Sequence, residues 1–251
     1  MQTASKGRQL GDFRVMTFDV VGTLIDFERG VLDFAAQVRG RGLEGEAAHA
    51  LLERFAREED ILQKTSPEMP FTQMLAPIWQ AMAGDLGLPA SPAAAQAFRE
   101  SIASWPAFAD APEALARLGR DVFLVAVTNA DNWALRVMAR TLGDPFEDKV
   151  TAEDVGVNKP DPQVFAFTLG KLSAQGFGKA DVLHTAQSQY HDIGVAKRLG
   201  FATAWIERRV GHEGSGATPV TAVVTEPDFH FPTLAALAEA LEGERRGAAG
   251  Q

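Results

Sequence analysis

The chain has 251 residues, enough for one large α/β domain or for a core with a smaller companion. Lys and Arg number 24 against 33 Asp and Glu, and this net charge of −9 argues against nucleic acid or an anionic membrane surface as partner. There is no cysteine, so disulfides, thiolate metal sites and a cysteine nucleophile are excluded, and 46% hydrophobic with 23% charged residues is ordinary globular composition.

Residues 1–10 are polar and lack the apolar stretch of a secretory signal. Residues 14–19 read as a short buried strand that ends at Asp19 and turns through Val20, Val21, Gly22 and Thr23. From about residue 27 to 108 the pattern is helical. Leu51, Leu52, Phe55, Ile61 and Leu62 recur at near-helical spacing, as do Leu75, Ile78, Trp79 and Met82, with prolines as punctuation. Residues 122–127 form a second apolar strand, too short to cross a bilayer, which leaves a cytoplasmic location as the expectation. Further strands are expected at 149–151, 182–185, 202–206 and 222–224, with helices at 133–142, 162–172 and 192–199. Alternating strands and helices predict a parallel sheet covered on both faces, an α/β fold interrupted by a helical insertion. The expected division is a Rossmann-like core of residues 12–26 and 109–242, a helical cap domain of residues 27–108, and a fraying tail from 243 to 251.

Four polar groups fall at or just past strand ends, where a parallel sheet presents its functional edge. They are Asp19; Thr128 with Asn129; Lys159 in Val-Asn-Lys-Pro-Asp-Pro; and Asp192 in Gln-Ser-Gln-Tyr-His-Asp. Each has an ordinary reading by itself: a turn carboxylate, loop chemistry, a solvated lysine, a helix-start acid. Together, Asp-x-x-Gly-Thr-Leu at 19–24, Thr-Asn at 128–129, Lys-Pro at 159–160 and Asp192 resemble the four motifs of the haloacid dehalogenase superfamily. The resemblance spans about residues 15–241, and the insertion after the first motif matches that family's cap. It implies Asp19 as nucleophile, Thr128 and Asn129 as substrate holders and Lys159 as the charge that orients Asp19.

Two departures select a branch. Phosphatases of this superfamily carry an acid two residues after the nucleophile, which protonates an alkoxide leaving group. Val21 stands there and has no proton to give. Gln187 stands where a metal-binding Asp is usual, and an amide is a poor substitute ligand for Mg²⁺. The chain is thus most similar to 2-haloacid dehalogenases, in a branch marked by Gln187 to Asp192 and by Trp-Ile-Glu-Arg at 205–208. The resemblance implies hydrolysis of a small halogenated carboxylic acid, fluoroacetate included, through an aspartyl ester, with no metal or other cofactor and a homodimeric assembly.

On that reading the substrate carboxylate rests on Thr128 and the N–H groups of Val20 and Asn129. The Asn129 side chain and a cap arginine, Arg54 or Arg57, receive the halide. Thr23, Gln189 and His191 complete the residues expected around the substrate. Phe71, Met74 and Trp79 are either cap lining or plain cap core, and His184 reads as a packed core histidine. His49, His212 and His230 show no metal spacing, and 211–216 reads as a surface loop. Two alternatives stay open: a phosphatase that draws its acid and metal ligand from elsewhere, and a catalytically silent binding protein of the same fold.

Overall fold

Six short strands, all parallel, carry the molecule. A computed structural model describes residues 7–211, 216–217, 221 and 223–249. In chain order the elements are β1 (Val15–Phe18), α1 (Phe27–Arg39), α2 (Gly45–Thr65), α3 (Phe71–Ala83), α4 (Pro92–Glu100), α5 (Ala111–Leu118), β2 (Phe123–Thr128), α6 (Asn132–Thr141), β3 (Asp148–Thr151) and α7 (Ala152–Val155). They continue with α8 (Pro162–Ser173), β4 (Val182–Ala186), α9 (Gly194–Arg198), β5 (Ala202–Ile206), β6 (Phe229–Phe231) and α10 (Leu234–Ala249). The sheet order is β3-β2-β1-β4-β5-β6, so the chain reverses direction across the sheet at β1. Crevices at such a switch point, beyond the strands' carboxyl ends, are where open α/β sheets bind ligands.

The strand sequences explain their placement. β1 and β4 are buried along their whole length, as strands covered on both faces must be. Successive residues feed opposite cores. Met16, Phe18, Leu124 and Ala126 join the larger cluster shared with the inserted helices and α10, while Val15, Val125 and Val127 pack beneath α8 and α9 with Val164, Phe165 and Val195.

Helices α1 to α4 form the insertion expected between the first two strands. α3 packs on α2 and α4, around an aromatic cluster in which the Trp79 ring lies 4.8 Å from Phe34 and 4.7 Å from Phe98. Met74 and Trp79 are fully buried in this insertion, and Trp79 Nε1 donates to the Pro89 carbonyl; they are core. The segment before α3 is latched to the sheet edge: Asn158 Nδ2 donates to the carbonyls of Pro67 and Met69, and Phe71 N–H donates to Asn129 O.

Two expectations fail at the C-terminal end. The sixth strand is Phe229–Phe231, not 222–224: Ala222 lies outside the described residues, and Val223 and Val224 are 75% and 64% exposed. Phe229 and Phe231 instead pack on the larger core, and Asp228 beside them accepts from the N–H of Thr203. The supposed tail is helical to Ala249, because Glu242 pairs with Arg117 of α5 and Glu244 accepts from Gly11 N–H. Gly211 and Gly216 lie in turns of the segment read as a loop, whereas His212 and residues 213–215 lie outside the described residues.

Candidate active site

The ends of β1, β2 and β4 open onto one cavity of about 50 Å³. Asp19 follows β1 directly, and Gly22, at φ +88°, turns the chain so that its N–H meets Ile25 O. A Cβ at Gly22 would stand 3.3 Å from the Phe27 ring, so a side chain here would press on that ring as well as strain the left-handed backbone. The turn also brings Thr23 back to Asp19: Thr23 Oγ1 donates to Asp19 Oδ2 at 2.6 Å and accepts from Gln187 N–H at 2.9 Å. Thr23 therefore positions the carboxylate and does not line the cavity, which corrects its expected role as a substrate contact.

Lys159 is 1% exposed, and its ammonium donates to Asp19 Oδ1 at 2.9 Å, Asp192 Oδ1 at 2.6 Å and the Val127 carbonyl at 2.8 Å. A buried ammonium with all three protons taken is no surface lysine. Burial works against its charge, but the attraction of Asp19 and Asp192 outweighs it and holds the Lys159 pKa above its ordinary value. Burial lifts the Asp19 carboxyl above the usual carboxylate range, and the Asp192 charge adds to this against Lys159 and Thr23. For Asp192, burial is outweighed by Lys159 and by His184, which hold it down at about 2. Asp192 stays ionised, and its Oδ2 is a buried acceptor with no partner among the described residues.

The loop after β4 is a π turn, residues Gln189–Ile193, begun by Ser188, whose Oγ accepts from His191 N–H at 2.9 Å. Such turns are frequent at functional sites, and this one delivers both His191 and Asp192 to the cavity. His184 is buried as expected, but it is also employed. Its Nε2 lies 2.9 Å from Asp192 Oδ1 and its Nδ1 2.8 Å from Thr17 Oγ1. Phe165 meets the His184 ring edge-on at 5.1 Å and does not reach the cavity.

The remaining predicted residues divide. Thr128 lines the cavity, and its Oγ1 accepts from Ala130 N–H, which leaves its own proton to donate. Asn129 lines it too, yet its amide grips the Lys159 backbone at both ends: Nδ2 donates to Lys159 O at 3.0 Å and Oδ1 accepts from Lys159 N–H at 2.7 Å. Val20 is fully buried and does not line the cavity; its carbonyl accepts from Leu24 and Ile25, and its N–H makes no hydrogen bond among the described residues. Gln189 is a correction: its Oε1 accepts from Thr225 N–H, away from the cavity.

Both cap arginines are corrections as well. Arg54 is spent on Glu58, Asp85 and the Ala81 carbonyl, and Arg57 is exposed; neither lines the cavity. The side chain that α2 sends there is Glu59, 5% exposed, which the sequence reading missed. Gln63 Nε2 donates to Glu59 Oε1 at 2.7 Å, and Gln63 Oε1 lies 3.1 Å from His191 Nε2, so a polar chain runs from α2 to the π turn. Burial pushes Glu59 up to about 8, the Asp60 charge adding, and pushes His191 down to about 4. A signal for Glu59 existed: it falls four residues after Phe55 and three before Leu62, on the apolar face of its helix.

Phe27, Phe71 and Val21 supply the apolar lining. Val21, in the place where a phosphatase carries its acid, faces the cavity. Gln187 does too, and the Trp205–Arg208 signature buttresses this wall: Trp205 Nε1 donates to Gln187 O, and Arg208 Nε to Thr23 O. The donor set does not fit a divalent cation. The two facing carboxylates share the Lys159 ammonium, and no group of three His, Asp or Glu side chains among the described residues is placed to hold a metal ion.

A sequence profile of haloacid dehalogenase-like hydrolases matches residues 13–200. The (S)-2-haloacid dehalogenase 1 of Pseudomonas sp. (strain CBS-3) is 25% identical over 209 residues, 78% of this chain and 85% of its own length. Among solved structures, the L-2-haloacid dehalogenase PA0810 superposes with a TM-score of 0.75 at 25% identity, covering 92% of this chain and 99% of its own. The L-2-haloacid dehalogenase from Xanthobacter autotrophicus superposes with a TM-score of 0.74 at 20% identity over 92% and 99% of the two chains, a likeness of fold.

Proposed function

Because the chain belongs to the haloacid dehalogenase-like hydrolase family, we propose that it hydrolyses the carbon–halogen bond of a short 2-haloalkanoic acid or haloacetate, giving the 2-hydroxy acid and halide. One observation carries this reading: the Asp19 carboxylate is held by Thr23 and Lys159 at the floor of a small cavity whose neighbouring position is the proton-less Val21. Halide leaves carbon as an anion without needing a proton, whereas an alkoxide needs an acid beside it. A phosphate dianion would also meet the two carboxylates of Asp19 and Asp192 with the single ammonium of Lys159 between them.

The residues divide the work in two steps. Asp19 attacks the halogen-bearing carbon in line; the new C–O bond forms as the C–halogen bond breaks, and the bonding pair leaves with the halide. The substrate carboxylate rests on the free proton of Thr128 and the N–H groups of Val20 and Asn129. Water, oriented by the unpartnered Oδ2 of Asp192, then attacks the carbonyl carbon of the Asp19 ester. The acyl C–O bond to the substrate oxygen breaks, one water proton passes by way of Asp192 to that departing oxygen, the other goes to solvent, and the 2-hydroxy acid leaves with Asp19 restored as a carboxylate. Lys159 takes up the charge that returns to Asp19, and His184 holds Asp192 in register. Residues 27–108 act as the cap domain that closes the cavity over the core of residues 12–26 and 109–242. Halide release from a panel of haloacetates and 2-halopropionates tests the proposal. Turnover of at least one supports it, and phosphate release with none of them dehalogenated would replace it with a phosphatase.

A further inference from the structure

An in-line displacement drives the leaving group away from the attacking oxygen. Asp19 belongs to the sheet edge, and α1, α2 and α3 contribute Phe27, Glu59 and Phe71 to the cavity lining. A halide expelled away from the sheet edge leaves towards the helical insertion, and of the side chains that α1, α2 and α3 place in the lining Glu59 is the polar one. Neither Arg54 nor Arg57 lines the cavity, and Lys159 is saturated. The Asn129 amide is engaged by the Lys159 backbone at both ends. Glu59 Oε1 accepts from Gln63, while Oε2 makes no hydrogen bond among the described residues.

On the dehalogenase reading given above, we propose that Glu59 is the halide-binding residue and acts as a neutral carboxylic acid whose O–H donates to the departing halide. The proton stays on Glu59 throughout; the halide leaves with its electron pair and diffuses away as the free anion. An ionised Glu59 would repel the same anion in a cavity of low dielectric. The charges around it agree with a neutral form. Asp60 and Glu58 flank it on α2, and Asp19, Asp192, Lys159 and the ring of His191 face the cavity from the core. His191 is neutral through its low pKa, so Lys159 is the one cation among these groups, and it already serves two carboxylates. Gln63 supports the arrangement by donating to the acceptor oxygen of the acid, which leaves the hydroxyl oxygen facing the cavity.

Chloride binding, followed by NMR line broadening of the free anion, separates this inference from the reaction it rests on. With Glu59 titrating at about 8, the wild-type protein should broaden chloride at about pH 6 and lose the effect roughly 30-fold at about pH 9.5. E59Q, whose amide donates without titrating, should broaden chloride at both values, and E59L at neither. Thermal melts of each variant confirm that it is folded. Equal broadening by the wild type at both values, or an E59Q profile that tracks the wild type, would overturn the role of Glu59 even if haloacids are hydrolysed. Glu59-dependent chloride binding without turnover of any haloacid would instead sink the dehalogenase reading and leave the halide site standing.

Discussion

Lys159 concentrates the energetics of the site on a single side chain. Its ammonium neutralises two buried carboxylates, so K159A leaves Asp19 and Asp192 facing each other without a countercharge. Halide release by K159A should fall on the order of 10²-fold or more, because a preorganised charge at the nucleophile is lost; a rate near wild type would remove Lys159 from the mechanism. The pH profile gives a second check. Asp19 must be ionised to attack, and burial holds its pKa above the ordinary value of 3.8, so the acid limb of kcat/KM should lie above that value. A limb at or below it would assign the titration to another group. The motif residues were legible because each terminates an apolar strand, where a polar residue is conspicuous. The roles of Glu59 and His184 were harder to read, for opposite reasons. Glu59 sits in the run Arg-Glu-Glu-Asp and resembles a solvated face, and His184 sits in a buried strand and resembles inert packing. Only the tertiary arrangement shows one lining the cavity and the other bonded to Asp192.

At the scale of elements, the insertion depends on close approach between α1 and the segment after α4. A Cβ on Gly30 would stand 2.4 Å from Trp105 Cδ1, within a fully packed region. G30A should destabilise the protein by about 1–3 kcal/mol, read as a lower urea midpoint with an unchanged slope; an unchanged midpoint would show that Trp105 yields freely. Helix α2 adds a pH-dependent cost. Glu59 keeps its proton in the folded protein up to about 8, whereas the unfolded chain releases it near 4.5. Between those values the folded state holds the extra proton, so stability falls as pH rises through that window. The melting temperature of E59Q relative to wild type should therefore rise from about pH 5 to about pH 8, and a constant difference would contradict the buried acid. His191 acts in the other direction, since its pKa drops from 6.5 to about 4 on folding and stability is lost as pH falls between them. Five of the six strands were readable because apolar runs bounded by turns mark them. The edge strand Phe229–Phe231 was not: three residues give too short an alternation, and the more apolar Val223 and Val224 drew the assignment away. Helix α10 runs on through residues expected to fray because Arg117 and Gly11, distant in sequence, supply partners for Glu242 and Glu244.

Over the whole molecule, sheet and insertion meet at the site that both line. The latch of Asn158 on Pro67 and Met69, and of Phe71 on Asn129, ties the roof to the loops that carry Lys159 and Asn129. Val21 and Gln187 offer no carboxylate, and Lys159 already joins Asp19 to Asp192, so halide release should persist in full in excess EDTA; a loss that Mg²⁺ restores would contradict the branch assignment. No helix among the described residues is long and apolar enough to cross a membrane. The central claim is covalent catalysis by Asp19, and a single turnover in ¹⁸O-water with enzyme in excess tests it most directly. If Asp19 attacks carbon, the oxygen delivered to the hydroxy acid comes from its carboxylate and the water oxygen enters the enzyme. The product should be almost unlabelled, and peptide mapping should place the label on the segment that holds Asp19. Labelled hydroxy acid in the first turnover, with unlabelled enzyme, would mean that water attacks the substrate directly and would contradict the account.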